Sequence, residues 1–190
     1  LGSDCFVVTY AGALGMANDI PTVLRAAERL RDHKNIQFLL VGDGKEQPNL
    51  KKMAEKRKLQ NVIFAGARPK ADMPRILAAS DACLAVLMDI PMFRTTYPNK
   101  VFDYMAAERP TLLAIDGVIR EVIEAAGGGL FVPPGDDEAL AAAVLKLSSN
   151  PDLAREMGSA ARSFVVHHFN RSDQSKEFVA LVSRLGMRVS

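Results

Sequence analysis

The sequence has no tryptophan, only two cysteines and only three histidines. Cys5 and Cys83 each lie in a short apolar run, so they read as buried thiols in a reducing compartment, not as a disulfide framework. His33, His167 and His168 stand at no metal-binding spacing from a cysteine or a carboxylate, and no metal site is expected. No apolar run is long enough to cross a bilayer. Charge of one sign is scarce as well: 24 basic residues face 22 acidic ones, a net of +2. That balance removes nucleic acid and strongly anionic surfaces as expected partners. The one dense basic run, Lys51, Lys52, Lys56, Arg57 and Lys58, has the spacing of a solvated helix face. No Ser/His/Asp or Cys/His nucleophile arrangement and no Walker lysine loop is visible. No secretory leader is recognisable, and the chain opens on Leu1 rather than methionine, which reads as a piece of a longer protein.

What remains is an average soluble composition, 48% hydrophobic and 24% charged over 190 residues, enough for one domain with its own core. Strand signals fall at 6–10, 36–41, 62–64, 82–87, 111–115 and 129–132. They are apolar without alternation, as expected for a parallel sheet buried on both faces. Helical stripes separate them, for example Val23, Leu24, Ala27 and Leu30. Strand–helix alternation predicts an α/β fold: a doubly wound, Rossmann-like parallel sheet of about six strands flanked by helices. The last third holds three helix patterns and no strand. Asp136 or Asp137 suits the first cap, Asn150–Pro151 the second, and Asn170 to Ser172 opens the third, which fades near Gly186. Leu140, Val144 and Leu147 mark a buried stripe in the first of these. No linker divides 1–190.

Ligands of an open parallel sheet bind beyond the carboxyl ends of its strands. Four segments fall there. Residues 11–15 (Ala-Gly-Ala-Leu-Gly) allow close backbone approach, with a helix amino end following that suits a phosphate; a tight turn explains them equally. Gly42-Asp43-Gly44-Lys45 resembles a turn into a helix more than a dinucleotide loop, because no third glycine follows at the required spacing. Gly66-Ala67-Arg68-Pro69 reads as an ordinary loop against which a base or sugar could lie. The fourth segment follows a ten-residue connection, 88–97, long for its place in the chain. There Pro98 suits a first helical turn, and Asn99, Lys100, Asp103 and Tyr104 are expected on one face, opposite Val101, Phe102 and Met105. Lysine beside a helix amino end suits a phosphate, and a carboxylate one turn on suits vicinal ribose hydroxyls. A solvated face with a Lys100–Asp103 pair is the competing explanation. His167 and His168 read as helix-surface or packing residues.

The combination of YAGALG (10–15), LLVGDGKEQPNL (39–50), NVIFAGARPKADMP (61–74), FRTTYPNKVFDYMAAERP (93–110), GGGLFVPPGDDEALAAAV (127–144) and NPDLAREMGSAAR (150–162), in this order, resembles the C-terminal domain of retaining glycosyltransferases of family 4, with the GT-B architecture. The FRTTYPNKVFDYMA stretch is most similar to bacterial members that build surface polysaccharide or lipopolysaccharide.

The resemblance implies that 1–190 is a nucleotide-sugar-binding domain, commonly for a UDP-sugar. The acceptor would lie in an N-terminal domain of the parent, a hexosyl or N-acetylhexosaminyl transferase, and the isolated domain would transfer nothing. It implies no cofactor and no divalent metal, the leaving diphosphate being met by a helix dipole and basic side chains. A cytoplasmic parent is implied, with peripheral association at the inner face of the membrane. Carried onto this sequence, the donor site comprises Gly12, Ala13 and Gly15 at the phosphate and sugar, Arg68 and Pro69 at the base, Asn99 and Lys100 at the diphosphate, and Asp103 at the ribose, with Thr95 and Thr96 alongside. No catalytic residue is assigned. Three positions depart from the family: Ala13 stands for its arginine, Asn18 for its lysine, and Thr95 for the first of two glutamates separated by seven residues, Asp103 standing for the second. These departures leave a non-catalytic binding subunit as an alternative. A dinucleotide-dependent oxidoreductase domain is a second alternative, disfavoured by the absent GxGxxG.

Overall fold

The computed structural model describes residues 5–186; Leu1 and the outermost residues of the 1–190 span lie outside them. Six strands, β1 (Phe6–Ala11), β2 (Ile36–Val41), β3 (Val62–Gly66), β4 (Ala82–Val86), β5 (Thr111–Ala114) and β6 (Gly129–Phe131), form one sheet in the order β3-β2-β1-β4-β5-β6. Every pairing is parallel. The six strand positions match the apolar runs of the sequence to within two residues. Strand order reverses between β1 and β4, so the chain leaving these neighbours turns to opposite faces and opens a crevice at their carboxyl ends.

Eight α-helices accompany the sheet among the described residues: α1 (Ile20–Arg29), α2 (Gln47–Lys56), α3 (Met73–Ala78), α4 (Asn99–Ala106), α5 (Val118–Ala126), α6 (Asp137–Ser148), α7 (Pro151–His168) and α8 (Arg171–Gly186). Alternate residues of each strand face opposite sides and build two cores. On one side Val8, Tyr10, Leu84, Val86 and Leu112 meet α1 and α6 through Val23, Leu24, Leu140, Val144 and Leu147. On the other, Cys83, Ala85 and Leu113 meet α4, α5 and α7 through Val101, Met105, Ile119, Ile123 and Ala161. A fully buried Leu, Ile or Val contributes roughly 1.5–3 kcal/mol. These stripes are what hold the helices to the sheet.

The expected caps form. Asp136 accepts from Ala139 N and Asn150 from Leu153 N, contacts each worth about 1 kcal/mol. Asn170 accepts from Ser172 N at the start of α8. Phe178, Leu181, Val182 and Leu185 of α8 are exposed. Lys51, Lys52, Lys56 and Lys58 are exposed as expected, while Arg57 pairs with Glu28. The histidines lie on the surface. Both cysteines are free, but only Cys83 is buried; Cys5, just before the first strand, is half-exposed.

Candidate functional site

The loops after β1, β2 and β3 pack side by side. Gly12 N donates to Val41 O (2.9 Å), and Gly42 N donates to Gly66 O (2.9 Å). A Cβ on Gly42 would lie 1.8 Å from Gly12 O, so only glycine lets these loops meet. Leu14, in the first loop, is fully buried, and its N–H donates to Asp43 O (2.8 Å).

The sequence suggests phosphate binding at the amino end of the next helix. Asp19 caps α1, accepting from both the backbone and the hydroxyl of Thr22, and so occupies that end with its own carboxylate. The signal is present in the sequence: an Asp directly before Ile20-Pro21 is a cap pattern.

The connection from β4 to α4 is pinned along its length. Leu87 N donates to Ala114 O (3.3 Å), and Met88 N donates to Ala17 O (3.0 Å). A 3-10 turn occupies Pro91–Thr95. Thr95 and Thr96 turn their hydroxyls onto Met92 O, at 3.2 and 3.5 Å. Gly117, with φ of 96°, lets the backbone of Arg94 pack against the start of α5: a Cβ there would lie 2.0 Å from Arg94 O. Met16, Met88, Ile90 and Met92 expose apolar side chains on the two loops that flank the crevice, a feature that no sequence pattern singles out.

Helix α4 begins at Asn99, with Pro98 at the cap position rather than inside the first turn. Its faces differ from expectation. Tyr104 joins Val101 and Met105 on the buried face, at i, i+3 and i+4, and is 1% exposed. Its hydroxyl accepts from Ala11 N (3.0 Å) and lies 3.2 Å from Ala11 O and 3.3 Å from Leu84 O. Those backbone partners satisfy the polar group of a tyrosine that the pattern alone would place toward solvent. Phe102, expected inside, is only partly buried and stacks near Phe169, with ring centres 4.9 Å apart. Asn99 and Asp103 are exposed.

Lys100 turns inward to the crevice. Its Nζ donates to the Tyr10 hydroxyl (2.9 Å) and to Asn18 Oδ1 (3.2 Å), and sits 4.2 Å from the centre of the Tyr10 ring. It does not pair with Asp103, and among the described residues no carboxylate bridges it. A Cβ on Gly12 would come 2.8 Å from this ammonium. Burial lowers the Lys100 pKa from 10.5 to about 8, because a charge leaving water without a counter-ion favours its neutral form. Tyr10, fully buried, has its pKa raised by the same desolvation, and its hydroxyl donates to Ala13 O (2.8 Å).

The structure thus brings together Gly12, Ala13 and Lys100 with Asn18, the position where the family carries a lysine, and adds Tyr10, which the sequence does not assign to the site. Gly15 lies in the same loop, partly exposed. Arg68 and Pro69 are exposed beyond edge strand β3, with β2 between them and the crevice. A recess of about 640 Å³ lies at the opposite, amino ends of the strands, lined by Cys5, Asp81, Glu108, Arg109 and Arg155 among others. Its Asp81 already accepts from Val7 N, and its Arg109 donates to Ser80 O. Among the described residues no group of three His, Cys, Asp or Glu side chains could hold a metal ion. No described helix is long and apolar enough to cross a membrane.

Known proteins match this chain along most of its length. A probable glycosyltransferase of Pseudomonas aeruginosa, WbjE, is 28% identical over 181 residues, covering 94% of this chain and 44% of that protein. A putative colanic acid biosynthesis glycosyl transferase of Escherichia coli, WcaI, is 28% identical over 156 residues, covering 79% of this chain and 38% of that protein. The chain therefore spans less than half the length of each. Among solved structures, Anabaena HepE in complex with UDP superposes with a TM-score of 0.84 at 20% identity, over 96% of this chain and 50% of that one. The family model described as glycosyl transferases group 1 matches residues 2–164, and the chain belongs to that family.

Proposed function

We propose that this domain binds a nucleotide-sugar donor, a UDP-sugar, for retaining glycosyl transfer in the synthesis of a bacterial surface polysaccharide or lipopolysaccharide. The observation that carries the reading is the Lys100 ammonium, held at the β1/β4 switch beside Gly12 and bridged by no carboxylate among the described residues. A cation at a strand-order reversal, next to a helix amino end, suits a diphosphate. Lys100 and Asn99 would meet the diphosphate, with Gly12, Ala13 and Gly15 bordering phosphate and sugar. Asp103, one turn along the same helix, would accept from the ribose hydroxyls. Arg68 and Pro69 would line the base, and Thr95 and Thr96 the sugar side. Leaving-group charge would be stabilised by Lys100 and the α4 dipole, without a divalent metal.

HepE, a protein of the same fold, was solved with UDP, and the relatives' names include colanic acid biosynthesis and lipopolysaccharide core biosynthesis. The parent would carry the acceptor on a further, N-terminal domain. The exposed apolar side chains of α8 offer a surface for it. On this reading the parent works at the cytoplasmic face of the membrane, and the 190-residue chain alone transfers no sugar. Ligand-observed NMR with UDP-, GDP- and ADP-sugars tests donor binding. Saturation transfer to the UDP compounds is expected. No transfer to any of them, with stabilisation by NADH instead, would replace the reading by a dinucleotide-binding one.

A further inference from the structure

We infer that Tyr10 and Asn18 are positioning residues that fix the Lys100 ammonium in the crevice so that one of its N–H groups is left for a nucleoside diphosphate; this rests on the donor reading above. Lys100 carries three donors and no acceptor. Two are taken, by the Tyr10 hydroxyl at 2.9 Å and Asn18 Oδ1 at 3.2 Å. The Tyr10 hydroxyl gives its own proton to Ala13 O at 2.8 Å, so toward Lys100 it acts only as an acceptor. The chain of donors thus has one direction, from Lys100 through Tyr10 to the loop that borders the crevice.

Both acceptors are neutral, and the inference turns on that neutrality. An amide or phenol oxygen orients an ammonium without cancelling its charge, whereas a carboxylate at either place would compete with a phosphate for it. Burial raises the Tyr10 pKa, so the phenol stays neutral where Lys100 titrates. Among the described residues Tyr10 is the one titratable side chain hydrogen-bonded to the ammonium. A free lysine side chain would have to be ordered when the anion binds; here the ordering is done beforehand by the ring, the phenol and the amide. Gly12 completes the arrangement, since a Cβ there would come within 2.8 Å of Nζ.

The test uses the 190-residue chain, UDP as probe, calorimetry at neutral pH, and NMR titration of the Lys100 ammonium without ligand. Tyr10→Phe keeps the ring under the cation but removes the acceptor; Asn18→Leu removes the other. Each is expected to weaken UDP binding about tenfold, the size of one charge-assisted hydrogen bond. Asn18→Asp is expected to move the Lys100 titration midpoint upward by about one pH unit or more, because a carboxylate would then face it, a change that a merely structural asparagine would not make. Wild-type binding with Tyr10→Phe and Asn18→Leu unchanged, or a Lys100 midpoint that ignores Asn18→Asp, overturns the inference alone. Absence of UDP binding by the wild type overturns the donor reading, and the inference with it. If Tyr10→Phe does not fold, Asn18→Leu, at a half-exposed loop position, still decides.

Discussion

Lys100, on a helix of one face of the sheet, places its ammonium 2.9 Å from the hydroxyl of Tyr10, whose ring belongs to the core of the other face. The contact spans the crevice where strand order reverses and joins residues 90 positions apart. It also creates a conflict. A partly buried ammonium with only neutral partners weakens the fold while it prepares a site for an anion.

That conflict has a pH signature. The folded Lys100 titrates near pH 8 and the unfolded one near 10.5. Between these values the unfolded chain binds a proton that the folded chain does not, so this group's contribution to stability rises with pH in that window. Below pH 8 the buried charge costs up to about 3 kcal/mol. Lys100→Met should therefore stabilise the chain at about pH 7.5, and the gap to wild type should narrow as pH rises toward about 10. Cys83 and Tyr10, whose burial raises their pKa values, act in the opposite sense, at higher pH. Urea unfolding of the pair at several pH values reads the difference; parallel curves would count against it.

Asp103 is exposed on α4, so Asp103→Ala should leave stability within about 0.5 kcal/mol. UDP affinity should fall by roughly tenfold, through the loss of ribose hydrogen bonds to a carboxylate. Thermal melting and calorimetry on one preparation separate the two effects.

Tyr104→Phe should do the reverse. It removes the only side-chain partner of the Ala11 N–H among the described residues, beside a tyrosine ring that is 1% exposed. The cost should be about 1–3 kcal/mol, seen as a lower urea midpoint at unchanged slope.

Much of this fold is legible in the sequence because a doubly wound sheet buries both faces of its strands. Runs such as Ile36–Val41 and Ala82–Val86 carry no polar alternation, and the helical last third follows from the Asp136 and Asn150 caps. The site is legible only in part. Lys100 can be singled out because it stands in the first turn of a helix after a long connection. Its partners cannot, since nothing in the local pattern links it to Asn18, 82 positions away. Tyr104 departs from its expected face for a different reason. A tyrosine fits either face of a helix, and only the carbonyls of Ala11 and Leu84, set by the sheet, decide that it lies inside.

The central claim is that the charge of Lys100 receives the diphosphate, and calorimetric titration of UDP into wild type and Lys100→Gln at about pH 7 tests it most directly. Glutamine keeps much of the length and the polarity but removes the charge. The account predicts binding by the wild type and a loss of about ten- to a hundredfold in the variant, with the folded state retained. Equal affinity in the two proteins would contradict it.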